Sequence, residues 1–152
     1  MNIVRPLVVA FVLVTLIIGC KGSGGETPEP TQASQTELLV ANNWQTKQVT
    51  TPDGQEINEG RLNLVTQYLF GLNMQFRQDG SVRALDFKQS NKVVNGGSWA
   101  LAADNKSIDV DVTGFKGNFP IVRLDRSNLI LRQTAPVDGK NAEINLVFVP
   151  AL

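Results

Sequence analysis

Apolar and polar side chains alternate with a period of two along much of the chain. The clearest run has Ile108, Val110 and Val112 at every second position, with Asp109 and Asp111 between them. Successive side chains of a β-strand point to opposite faces of the sheet, so this alternation is typical of a strand with one buried face. The pattern therefore predicts an all-β domain.

The alternation recurs in segments that are separated by short polar connections. The connections contain turn-forming pairs, namely Asp79-Gly80, Asn95-Gly96, Asp104-Asn105 and Asp138-Gly139. Such pairs favour tight hairpins between antiparallel strands. The predicted strands cover residues 44–51, 72–77, 81–88, 98–102, 107–113, 119–124, 128–134 and 143–149.

Two helices are predicted beside these strands. Residues 37–42 form a short N-terminal helix with Thr36 as its N-cap. Residues 59–70 have apolar positions at helical spacing, and Gly71 follows as a stop signal. This second helix is inserted between the first and second strands.

Short connections between consecutive strands predict a particular fold. Strands that follow one another through hairpins form a meander, and an eight-stranded meander avoids exposed edges by closing on itself. We therefore predict an eight-stranded antiparallel up-and-down barrel over residues 37–152. The alternative is a two-sheet sandwich, which normally needs longer crossing connections.

The N-terminal segment has the features of a secretory signal. Arg5 precedes an apolar run at 7–18 in which Thr15 is the one polar residue. A membrane-spanning helix needs about 20 apolar residues, so this shorter run predicts a cleaved signal peptide over residues 1–19.

The residues around Cys20 indicate a lipid anchor. Ile18-Gly19-Cys20 resembles the lipobox, in which a signal peptidase cleaves before a cysteine that is then acylated. The resemblance implies that Cys20 attaches the mature protein to a membrane; a free thiol is the alternative. Lys21 follows, where lipoproteins retained at the inner membrane tend to carry Asp, which favours the outer membrane. Residues 20–36 then form a linker rich in Gly, Ser and Pro.

Composition excludes several classes of function. The chain has 14 Lys and Arg against 14 Asp and Glu, and removal of Arg5 with the signal leaves 13 against 14. This balance provides no positive field for nucleic acid. With no His and one Cys, the chain cannot form a Ser-His-Asp triad or a Cys/His zinc site. We predict no catalytic activity, metal or cofactor.

Several short motifs resemble a known family. They are Leu38-Leu39, Asn43-Trp44, the run Met74-Gln75-Phe76-Arg77-Gln78-Asp79-Gly80-Ser81-Val82, Gly97-Ser98-Trp99-Ala100-Leu101, Ile121-Val122-Arg123-Leu124 and Leu129-Ile130-Leu131. In this order they resemble the lipocalin-like domain of lipoproteins from Bacteroidota-type bacteria. The resemblance implies a calycin-type barrel, with the insertion after the first strand lying where lipocalins carry a lid over the barrel mouth.

The predicted function is the binding of a small apolar or amphipathic ligand inside the barrel. An eight-stranded barrel is either filled by its own side chains or holds one small ligand. Core packing is therefore the alternative role for each inward residue. The candidate ligand-binding residues of the interior and the lid are Met74, Phe76, Val82, Leu101, Ile108, Val110, Leu131, Leu146, Phe148 and Tyr68.

The sequence also offers two weaker alternatives to ligand binding. Trp99, Val147 and Val149 are candidates for an exposed apolar surface that docks another envelope protein or a glycan. Asp109 and Asp111 share one strand face at a spacing that overlaps that of glycosidase carboxylates. A solvated outer face explains this second pair better.

Overall fold

The alternating segments form a closed sheet. The computed structural model describes residues 33–152, and their strands are ordered β1 to β8 around a closed barrel with every neighbouring pair antiparallel. The predicted up-and-down barrel is confirmed, and the sandwich is excluded. The strands are β1 Asn43–Thr50, β2 Leu72–Phe76, β3 Ser81–Asp86, β4 Lys92–Leu101, β5 Ser107–Val112, β6 Phe115–Leu124, β7 Leu129–Val137 and β8 Lys140–Pro150.

Strand β1 closes the barrel by pairing unequally with its two neighbours. Its partners in β8 run from Pro150, opposite Trp44, to Asn145, opposite Thr50. Against β2 it pairs only over its first residues, as far as Gln45. The far half of β1 therefore has no β2 partner, and the insertion between the two strands emerges beside this gap.

The N-terminal helix α1 (Gln35–Val40) closes one end of the barrel. It begins two residues earlier than predicted, because Ser34 rather than Thr36 is the N-cap and forms a capping box with Glu37. Trp44 is fully buried beside it, and its indole Nε1 donates a hydrogen bond of 2.8 Å to the Leu39 carbonyl. We call this the closed end.

The prediction of one continuous helix over residues 59–70 is wrong. The segment contains a 3₁₀ turn at Glu59–Arg61, the short helix α2 at Leu64–Tyr68, and a second 3₁₀ turn at Leu69–Gly71. Leu62 is extended and bridges to Val137, so it interrupts the helical hydrogen bonds. Helix α2 then restarts with its own N-cap, Asn63.

The turn predicted at Asn95-Gly96 is also misplaced. Both residues lie within β4, and the connection from β3 is a 3₁₀ turn at Phe87–Gln89. Ser90 and Asn91 follow it with positive φ angles of 54° and 58°. The Asn95 side chain donates a 2.8 Å hydrogen bond to the Thr113 carbonyl, so it links two strand regions instead of forming a turn.

Inward side chains from all eight strands form the core of the barrel. Trp99 belongs to this core, being only 8% exposed, which contradicts its predicted place on a docking surface. It lies opposite Val110 on β5 and meets the Phe76 ring edge-on at 5.5 Å, while Nε1 donates to the Arg77 carbonyl. Val147 and Val149 are half-buried, so the predicted docking patch does not form.

Three features predicted from the sequence lie wholly or partly outside the described residues. Cys20 and the signal peptide at 1–19 lie outside the described residues, as does the linker as far as residue 32. Within residues 33–152, no helix combines the length and the apolar character needed to cross a membrane.

Gly97 is required where β4 approaches β5. A Cβ atom at this position would overlap the backbone carbonyl oxygen of Asp111. We expect Gly97→Ala to lower the free energy of unfolding by roughly 2 kcal/mol or more, because backbone of two paired strands must separate. Gly71→Ala is the control, since its Cβ would meet nothing within 4 Å; its unfolding free energy should stay within about 1 kcal/mol of wild type. Urea denaturation of both variants measures the difference, and equal midpoints would contradict the assignment.

Candidate functional site

The end of the barrel opposite α1 is open. Here the insertion, the β3–β4 connection, the β5–β6 turn at Thr113-Gly114 and the β7–β8 turn at Asp138-Gly139 surround the barrel mouth. We call this the open end. Because the closed end is filled by Trp44 beneath α1, a ligand has access to the interior at the open end.

A pocket of about 380 Å³ lies at this open end. It is bounded by α2 on one side and by β2, β3, β4 and the β5–β6 turn on the other. We call it the mouth pocket, and its lining residues are Leu64, Val65, Tyr68, Leu69, Leu72, Met74, Ala84, Asn95, Val112, Thr113, Gly114 and Phe115.

Helix α2 exposes apolar side chains beside the mouth pocket. Leu64 is 81% exposed, Val65 50% and Tyr68 59%. The opposite side of the segment is buried, with Thr66 at 2% and Leu69 at 5% exposure. A five-residue helix thus contacts the barrel through one face and leaves apolar surface at the entrance, which is a recognised feature of binding sites.

Backbone bonds fix the insertion to one side of the mouth. Leu62 bridges to Val137, and the Asp138 amide donates a 2.7 Å hydrogen bond to the Arg61 carbonyl. The Arg61 guanidinium also pairs with the Asp138 carboxylate at 2.9 Å. These contacts all lie at the β7–β8 hairpin, whereas the mouth pocket lies on the β2–β5 side of α2.

A smaller cavity of about 130 Å³ lies on the other side of α2. It shares Val65, Leu69, Gly114 and Phe115 with the mouth pocket. The Phe115 ring stacks on Phe119, with centroids 4.5 Å apart and planes 17° from parallel. Helix α2 therefore separates two adjoining spaces, and small movements of this helix would change the volume of both.

The structure divides the predicted ligand-binding residues into three groups. Met74 and Tyr68 line the mouth pocket. Leu101 is half-buried against the core. The remaining candidates are buried deeper in the core cluster, namely Phe76, Val82, Ile108, Val110, Leu131, Leu146 and Phe148.

Most of the residues that line the pocket were not predicted from the sequence. Leu72, Ala84 and Val112 lie at the mouth ends of β2, β3 and β5. They alternate inward like the core residues. Their position near the end of a strand was therefore the one sequence feature that could have distinguished them from the core. Thr113 and Gly114 belong to a turn and follow no periodic pattern.

The two carboxylates considered for catalysis, and Asp104 in the neighbouring Asp104-Asn105 turn, have other partners. Asp109 accepts a 2.8 Å hydrogen bond from Asn118, and Asp111 pairs with Lys116 at 2.8 Å on the outer face. Asp104 accepts from the Lys106 amide within a turn. Among residues 33–152, no three Asp, Glu, His or Cys side chains come together as a metal site would require.

Among the described residues, the carboxylates with shifted pKa values lie at the closed end. Hydrogen bonds from Ser34, first from its backbone amide, lower the pKa of Glu37 in the capping box of α1, and the other two carboxylates lie in turns. The Ser127 amide, followed by the Arg123 side chain, lowers the pKa of Asp125 to about 2. Hydrogen bonds from Ser81 lower the pKa of Asp79. Both carboxylates accept amide hydrogen bonds two residues ahead, so these shifts reflect turn structure.

The similarity of this chain to known proteins is low. No family model matches the sequence, and a search of curated proteins found no match. Among solved structures, a lipocalin-like protein from Bacteroides uniformis aligns with a TM-score of 0.49 and 16% identity, covering 74% of this chain and 98% of that chain. The barrel assignment rests on the strand pairing of the present chain.

Helix α2 depends on its N-cap. The Asn63 side chain accepts a 2.9 Å hydrogen bond from the Thr66 amide. We expect Asn63→Ala to destabilise the helix by about 1 kcal/mol and to increase hydrogen exchange of the amides at 64–68. Ser34→Ala is the matched control, because it removes the N-cap of α1 at the closed end. Faster exchange at 64–68 in the control, or none in Asn63→Ala, would contradict this role.

Proposed function

We propose that this protein is a lipid-anchored lipoprotein of the bacterial envelope whose barrel binds a small apolar or amphipathic ligand. The mouth pocket carries the proposal. Its volume of about 380 Å³ lies within the range of small-molecule sites, which are concave and mostly apolar with a few polar groups.

The position of the pocket supports ligand entry from solvent. Met74, Ala84 and Val112 form its buried part, and each is no more than 3% exposed. Leu64 and Tyr68 stand at its exposed edge. An acyl chain or similar apolar group placed here would contact buried side chains at one end and cover the exposed side chains of α2 at the other, which removes apolar surface from water.

The envelope location is proposed from the N-terminal sequence. The apolar run at 7–18, the Ile18-Gly19-Cys20 site and the polar linker that follows support cleavage and acylation at Cys20. Two or more acyl chains would give stable membrane attachment. Lys21 after the cysteine supports the outer membrane.

A docking module remains the second candidate function. It draws support from Val93 and Val94, which are 49% and 38% exposed on β4 near the open end. A partner protein would contact these residues and α2 from outside, without entering the mouth pocket. A substitution that fills the pocket should therefore weaken ligand binding without affecting docking, and this difference distinguishes the two functions.

Ala84→Leu tests the pocket. Ala84 is 2% exposed and lines the pocket opposite Met74 in the β2–β3 register. We expect the added carbons to lower the affinity for the uncharged probe N-phenyl-1-naphthylamine at least fivefold in a fluorescence titration, because they occupy the ligand's space. Ala100→Leu, on the exposed face of β4, should bind the probe like wild type. Equal binding by all three proteins, or none, would contradict the proposed site.

Cys20→Ala tests the anchor. Cells that express the full chain should incorporate radioactive palmitate into the protein, and the label should be absent from Cys20→Ala because Cys20 is the one cysteine. Fractionation should place the labelled protein with outer membranes. An unlabelled wild-type protein, or label that survives the substitution, would contradict the anchor.

A further inference from the structure

The lining of the mouth pocket lacks charge. Among the residues that the structure describes, those contributing to the pocket include no Asp, Glu, Lys or Arg. We infer that the pocket selects an uncharged lipophile whose polar end is a hydroxyl or carbonyl group. This inference rests on the proposed ligand-binding function and adds the chemical class of the ligand.

The polar groups in the lining are neutral. They are the Tyr68 hydroxyl, the Asn95 amide and the Thr113 hydroxyl. Asn95 is held in place, since its Nδ2 donates to the Thr113 carbonyl at 2.8 Å and its Oδ1 accepts from the Gly96 amide at 2.9 Å. Hydroxyl groups both donate and accept hydrogen bonds, so Tyr68 and Thr113 match a hydroxyl or carbonyl at the edge of the pocket.

Two cations near the open end are paired with carboxylates. Lys116 follows the lining residue Phe115 but binds Asp111 at 2.8 Å on the outer face. Arg61 binds Asp138 at 2.9 Å. Neither side chain lines the pocket, and the lysines that flank the β3–β4 and β7–β8 connections, Lys88, Lys92 and Lys140, do not line it either. An anionic ligand therefore finds no cation among the lining residues.

Asp86 places a carboxylate near the rim of the pocket. Asp86 lies opposite Leu72, a lining residue, and opposite Lys92 in the β3–β4 register. Its carboxylate accepts hydrogen bonds from the Lys88 amide at 2.9 Å and from Gln89 Nε2 at 2.6 Å. A carboxylate that enters the pocket loses hydration without gaining a charged partner among the lining residues. The same holds for an ammonium group.

Three ligands with the same chain length test the inference. At pH 8 and equal ionic strength, decan-1-ol, decanoate and decyltrimethylammonium compete against N-phenyl-1-naphthylamine for the wild-type protein. We expect decan-1-ol to bind at least tenfold more tightly than either ion. If decanoate or decyltrimethylammonium binds as tightly as decan-1-ol, the inference is wrong while ligand binding stands. If neither the probe nor any of the three binds, the proposed function itself fails.

A charge introduced at the edge should change the selectivity. Leu64 lines the pocket and is 81% exposed, so Leu64→Lys places a cation there with little cost in stability. We expect the ratio of decanoate affinity to decan-1-ol affinity to be at least threefold higher in this variant than in wild type. Leu64→Gln is the matched uncharged control and should not raise this ratio. A rise shared by both variants, or absent from Leu64→Lys, would overturn the inference.

Discussion

Pairing of β1 with β8 is the constraint on which the rest of the structure depends. An open sheet of this length would expose unpaired backbone groups at two edges and leave its apolar face in water. Closure places Trp44, Val49, Leu146 and Phe148 inside, each at most 2% exposed. The register shifts between Thr46 and Gln48, and such a bulge bends the strand as closure requires.

The same strand explains why the two ends of the barrel differ. Near α1, β1 has partners on both sides, and Trp44 fills the end with its indole N–H satisfied by Leu39. Toward the other end, β1 no longer pairs with β2. The insertion runs back beside β1 there, and the Ile57 amide donates a hydrogen bond to the Val49 carbonyl. The loss of one strand neighbour therefore creates the place that the insertion and the mouth pocket occupy.

The sequence predicted most of the barrel because its information was local. The run from Ile108 to Val112 needs only two-residue alternation, and its alternating burial agrees. The wrong predictions fall where contacts between residues far apart in the sequence determine the local structure. Leu62 has helical spacing in the sequence but pairs with Val137, and Asn95-Gly96 has turn composition but lies in a strand where the β3–β4 register shifts. Trp99 is two residues from Leu101 and so shares its face, which alternation alone could have indicated.

The pocket was harder to predict because its depth depends on layers of side chains from separate strands. Met74, Ala84 and Val112 line it, and the next inward residues toward the closed end are Phe76, Val82 and Val110. These neighbours are buried, and the Phe76 ring packs edge-on against the ring of Trp99. Alternation marks all six positions as inward but does not tell the lining layer from the packed layer below it. The small side chain of Ala84 leaves room above that packed layer, so the barrel interior is packed toward α1 and has space for a ligand near α2.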